Sequence, residues 1–117
     1  MTVPGRRRER LADQIRTEAA EIIALELKDP RIGFVTVTRV ELSPDYHAAR
    51  IWVSVLGEAE VQRGTMEGLS SAAGYLRREI GQRLSMRRVP ELAFVLDHGP
   101  QEALKVESLL EKISRQD

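Results

Sequence analysis

The sequence predicts an α+β domain in which helices pack on a three-stranded mixed sheet. Apolar residues recur every three or four positions over Leu11–Ile23 and again over Val61–Leu84, the period of helices with one buried side. β-Branched residues crowd 34–42 and 47–56, where a period close to two takes over. A third apolar run, Leu92–Leu96, follows the second helical stretch, and a strand reached through a helical crossover lies parallel to the strand before it. The order is therefore helix, strand, strand, helix, helix, strand, with one more helix in the tail.

The first helix is expected from about Arg7 to Leu27, with Leu11, Ile15, Ala19, Ile22 and Ile23 on its buried side. Lys28-Asp29-Pro30 ends it, because Pro30 pushes Asp29 out of helical geometry, and Gly33 adds a turn. In the first strand, Phe34–Leu42, Val35 and Val37 fall on one face and Val40 and Leu42 on the other. Either both faces are partly covered or a bulge shifts the phase. The second strand, His47–Leu56, alternates cleanly: Ala49, Ile51, Val53 and Val55 point one way, Arg50, Trp52 and Ser54 the other. Ser43-Pro44-Asp45-Tyr46 between them is turn chemistry, so the two strands form an antiparallel hairpin.

From about Glu60 to Ser85, Val61, Thr65, Leu69, Ala72, Ala73, Leu76, Ile80 and Leu84 share one helical stripe, which alone would give a single helix. The small residues Ser70–Gly74 argue for two helices meeting at Ala72, Ala73 and Gly74, since glycine costs about 1 kcal/mol relative to alanine inside a helix. Pro90 is tolerated at the start of the last strand. His98-Gly99-Pro100 then turns the chain into a tail helix over 101–114, with Leu104, Leu109, Leu110 and Ile113 on its apolar side. The 117 residues make one domain, with about 6–97 as its core fold.

Composition excludes several classes of function. There is no cysteine, hence no disulfide, thiolate metal site or cysteine nucleophile. The basic start has no apolar core behind it, so no signal peptide is expected, and no stretch approaches the roughly 20 apolar residues of a membrane helix. A soluble, cytoplasmic monomer is the expectation. Ser43, Asp45 and His47 invite a triad reading, but they fit one local turn whose side chains bond their own backbone, and nothing supplies an oxyanion hole. His47 and His98 lack motif-spaced acids, so no metal is expected. Gly64 and Gly68 make neither a phosphate loop nor a dinucleotide fingerprint, so no cofactor is expected either. Trp52 is read as packing over Arg50 or a helix end rather than as a platform for a base. The chain is not expected to be an enzyme.

Charge is the functional signal. Net charge is zero, from 18 basic and 18 acidic residues, which argues against a surface coated in nucleic acid but not against one basic face. Arg6, Arg7, Arg8 and Arg10 crowd the start, and Arg77, Arg78, Arg83, Arg87 and Arg88 fall in one stretch at 74–94. Arginine offers a planar fork suited to phosphate oxygens. These nine, with Arg31, are the candidate RNA-binding residues. The competing reading is a small α+β adaptor that binds another protein without touching RNA.

Five ordered blocks carry a resemblance: Arg8-Glu-Arg-Leu-Ala-Asp-Gln-Ile-Arg16, Leu27-Lys-Asp-Pro-Arg-Ile-Gly33, Val40-Glu-Leu-Ser-Pro-Asp45, Val53-Ser-Val-Leu-Gly57, and the 74–94 stretch through Arg87-Arg-Val-Pro-Glu-Leu-Ala-Phe94. Together they resemble the bacterial ribosome-binding factor A family from about Arg6 to Ile113. The resemblance implies a type II KH-like fold with an Ala-x-Gly break, at Ala72-Ala73-Gly74, in place of the Gly-x-x-Gly clamp of typical KH domains. It also implies a non-enzymatic assembly factor for the small (30S) ribosomal subunit. Such a factor binds 16S rRNA late in maturation, takes part in 5′-end processing and supports growth in the cold.

Overall fold

The computed structural model describes residues 6–99; the expected tail helix at 101–114 lies outside the described residues. Helix α1 spans Arg6–Leu25, strands β1 and β2 span Val35–Leu42 and Ala48–Val55, helices α2 and α3 span Ala59–Ser71 and Ala73–Arg83, and β3 spans Glu91–Leu96. The sheet order is β1-β2-β3, with β1 antiparallel and β3 parallel to the central β2. The inward residues Val37, Val40, Leu42, Ala49, Ile51, Val53 and Val55 join Ile15, Ala19, Ile22, Leu69, Leu76 and Ile80 in one core. On the other face of the sheet Arg39, Glu41 and Arg50 are exposed and Trp52 is half-buried.

A bulge resolves the broken alternation of β1. Val37 faces Val53 and Arg39 faces Trp52, so Thr38 is the extra residue and the phase advances by one. That slip brings Val40 and Leu42 onto the same buried face as Val37. It also sets Arg39, not Arg50, over the Trp52 ring at 4.4 Å from its centroid. The indole N–H donates to Glu41 Oε1 at 3.0 Å, and Arg39 pairs with the same oxygen at 3.2 Å.

The helix break falls on a single residue, Ala72, with φ −88° and ψ −1°. Its N–H is shared between the carbonyls of Gly68 and Leu69, and its own carbonyl accepts the N–H of Leu76. Ala73 and Gly74 are already helical, and a Cβ on Gly74 would meet nothing within 4 Å. Gly74 is therefore not what interrupts the helix. At the other end of the long stripe, Val61 departs from the expected burial and is 43% exposed, lying against Gly33 and Gly57 just outside β1 and β2.

Close approaches fix α2 and α3. A Cβ on Gly68 would lie 2.7 Å from Ile32, so the absence of a side chain lets α2 sit on the loop after α1. The buried Thr65 hydroxyl accepts the Gly33 N–H at 3.0 Å and donates to the Arg31 carbonyl at 3.3 Å, tying the same loop down. Helix α3 ends in a Schellman motif: Met86 N–H donates to Gly81 O, Ser85 N–H to Gln82 O, and Ser85 takes the left-handed conformation at φ 52°. This motif reverses the chain and delivers Arg87 and Arg88 to the surface beside α3.

Candidate nucleic-acid interface

A surface groove of about 850 Å³ lies at the hairpin end of the sheet. Its walls are Arg77 and Arg78 from α3, Arg87, Arg88 and Val89 from the following turn, Tyr46, His47 and Ala48 from the hairpin, and Glu91 from β3; Gly74 also lines it. Helical geometry puts Arg77 and Arg78 one turn from Gly74, and the Schellman reversal folds Arg87 and Arg88 back toward them. Arg77 is anchored: its Nε and Nη2 donate to the Val89 carbonyl at 3.1 and 2.9 Å, which ties the turn to the helix. Arg78, Arg87 and Arg88 are exposed, and none makes an ion pair among the described residues.

The hairpin turn gives the groove its third wall. Asp45 Oδ1 accepts the Ser43 hydroxyl at 2.6 Å and the His47 N–H at 3.0 Å, and the Ser43 oxygen accepts the Ala48 N–H at 3.0 Å. The Ser43 hydroxyl, then the His47 N–H, hold the Asp45 carboxyl below the usual carboxylate range. Ser43 and Asp45 thus spend their side chains on building a turn in which Tyr46 takes φ 64°. Tyr46 and His47 are the groove residues that sequence reasoning missed. In the sequence Tyr46 belongs to the turn and His47 opens the second strand, and neither position carries a sign that it faces the arginines.

The remaining candidates sit elsewhere. Arg83 is directed back onto α1 and α3, pairing with Glu26, with Glu18 at 3.4 Å and with Glu79 at 3.7 Å, and only 27% of its side chain is exposed. The Tyr75 hydroxyl donates to Glu26 at 2.6 Å. That bond, opposed by desolvation and aided by Arg83, holds the Glu26 carboxyl below its usual range. Arg31 forms a two-pronged pair with Asp29 at 2.6–3.2 Å and reaches the Ser71 hydroxyl at 3.2 Å, so it closes its own loop. Its side-chain bond, then its backbone N–H, hold Asp29 below the usual carboxylate range. Arg6, Arg7 and Arg10 are exposed on the first turns of α1, and Arg8 lies beside Val40, Glu41 and Leu42. Arg8 thus lies at the same hairpin end as the groove but against the opposite edge strand, β1. Among the described residues no three His, Cys, Asp or Glu side chains gather as metal ligands, and no helix is long and apolar enough to cross a membrane.

A concave, arginine-walled groove on an α-β-β-α-α-β frame with a one-residue break between its last two helices fits a known lineage. The family model described as "Ribosome-binding factor A" matches residues 7–110. The chain belongs to the ribosome-binding factor A family. It is 46% identical over 114 residues to a ribosome-binding factor A of Thermomicrobium roseum, spanning 97% of this chain and 88% of that one. Among solved structures it is similar to a Thermotoga maritima ribosome binding factor A determined by NMR. That likeness has a TM-score of 0.72 at 37% identity and covers 85% of this chain and 94% of that one. It is also similar to a Thermus thermophilus ribosome binding factor A homology model fitted into a cryo-EM map of a 30S–RbfA complex. Here the TM-score is 0.64 at 34% identity, over 75% of this chain and 92% of that one. The fold is thus the KH-like type II arrangement of this family, with the helix break in place of a nucleotide clamp.

Proposed function

We propose that this chain binds the small ribosomal subunit by seating 16S rRNA phosphates in the arginine groove, and acts by binding rather than by catalysis. The observation that carries the reading is the convergence of Arg77, Arg78, Arg87 and Arg88 on one concavity, none of them paired with a carboxylate among the described residues. Guanidinium forks suit phosphate oxygens, and few groups in the groove could read base edges, so specificity comes from the shape of a folded junction. Membership of the family and the 30S–RbfA complex of a relative support the choice of partner. The work belongs to late subunit maturation in the cytoplasm, including 16S rRNA 5′-end processing and growth in the cold.

Neutralising about four phosphates gives log K a slope against log salt of roughly −2.8 to −3.6, at about 0.7–0.9 per phosphate. The experiment titrates purified 30S subunits with the chain at several salt concentrations. R87Q/R88Q should weaken binding and flatten the slope by about 1.4–1.8 while leaving the melting temperature unchanged. A salt-independent affinity, or a double variant that binds as wild type does, would remove the groove from the mechanism.

A further inference from the structure

At the end of the sheet opposite the arginine groove, the large apolar side chains are left in water. Phe34 is 72% exposed and Leu56 75%, and the Leu56 N–H donates to the Phe34 carbonyl at 3.1 Å, so the two are cross-strand neighbours just beyond Val35 and Val55. Val61, 43% exposed, lies against the glycines that flank them in the chain. Ideal Cβ atoms on Gly33 and Gly57 would lie 3.2 and 3.0 Å from its side chain, and these glycines are the chain neighbours of Phe34 and Leu56. Phe34 and Leu56 therefore form one exposed apolar pair, with Val61 against the glycines next to them; Leu25 lies apart in sequence, at the end of α1. Isolated exposed apolar side chains mean little, but a contiguous group of them marks a contact surface.

Charge says what covers it. Glu58 and Glu60 frame this corner at the start of α2; both are exposed, and neither makes an ion pair among the described residues. The carboxylates on this corner favour a cationic occupant over nucleic acid, whose phosphates would meet like charge. We propose that this corner docks a basic polypeptide segment bearing an apolar anchor, which seats on the exposed pair Phe34 and Leu56 while its cations meet Glu58 and Glu60. The inference rests on the small-subunit reading. A particle built of RNA and basic polypeptide offers phosphate to one end of the domain and such a segment to the other.

The test compares two probes, purified 30S subunits and protein-free 16S rRNA, against wild type, F34S/L56S and E58Q/E60Q in the full chain. Both positions of the first variant are more than 70% exposed, so its melting temperature should match wild type. F34S/L56S should lose at least about tenfold in affinity for subunits and nothing for bare rRNA. E58Q/E60Q should show a smaller loss on subunits alone. A photo-crosslinker at position 34 should join a protein of the subunit, not its RNA. Equal binding of wild type and F34S/L56S to subunits, equal losses on both probes, or a crosslink to RNA would overturn the proposal. Failure of wild type to bind subunits at all would instead overturn the proposed function, and this inference with it.

Discussion

Replacing Gly81 by alanine places a methyl carbon 2.5 Å from Cγ2 of Val89, where ordinary contact needs 3.4–4 Å. Val89 has little room to yield, because Pro90 follows it and Arg77 holds its carbonyl. Forcing a methyl into such a contact costs about 1–3 kcal/mol, of which the better helix propensity of alanine returns up to about 1. Gly81→Ala should therefore lower stability by roughly 1–2 kcal/mol, or about 5–15 °C in melting temperature for a domain of this size. Gly74→Ala adds the same methyl to the same helix with nothing within 4 Å of it. Its backbone is helical, so it should gain about 0.5 kcal/mol and melt roughly 2–4 °C higher. Thermal unfolding followed by far-ultraviolet circular dichroism reads both variants. A destabilised Gly74→Ala would refute the location of the break at Ala72 and return it to the glycine. A neutral Gly81→Ala would refute the close packing of α3 on the turn that carries Arg87 and Arg88.

Thr65→Val keeps the shape but strips the Gly33 N–H of its acceptor, so a loss of about 1–3 kcal/mol is expected in chemical denaturation. Arg83→Gln should lower the melting temperature, since it leaves Glu18, Glu26 and Glu79 without their shared cation, while the salt slope of rRNA binding stays at the wild-type value. Acid should destabilise the fold: Glu26, Asp29, Asp45 and Asp97 are all held below their ordinary values of 4.5 and 3.8. Below those values the unfolded chain binds more protons than the folded one, so the stability these groups contribute is complete above about pH 5 and drains away as pH falls further. A melting temperature unchanged from neutral pH down to about pH 3 would contradict that linkage.

Much of the frame is legible in the sequence because it depends on neighbours along the chain. The three- and four-residue recurrence of Ile15, Ala19 and Ile22 fixes the buried face of α1, and Ala49, Ile51, Val53 and Val55 fix that of β2, whatever else the chain does. The small residues around Ala72 announce a break in a stripe that periodicity would run straight through. Two points were only half legible: a bulge rather than two covered faces in β1, and an arginine over Trp52. The Thr38 slip decided both by pairing Arg39 across from Trp52.

The groove was less legible, because ion pairing depends on distance through space. The sequence alone determined that arginine is concentrated in 74–94 and at the start of α1. It gave Arg83 the same standing as Arg87, since both are arginines in one basic stretch. Only the tertiary structure separated them, by bringing Glu18 and Glu26, 65 and 57 residues away, against Arg83 and leaving Arg87 and Arg88 beyond the reach of any described carboxylate. It likewise turned the hairpin turn at Tyr46–His47 into a groove wall, because the parallel register of β2 and β3 sets Ala48 beside Glu91. Which residues are basic is written in the chain; which of those charges remain unpaired is decided by the acids that folding carries to them.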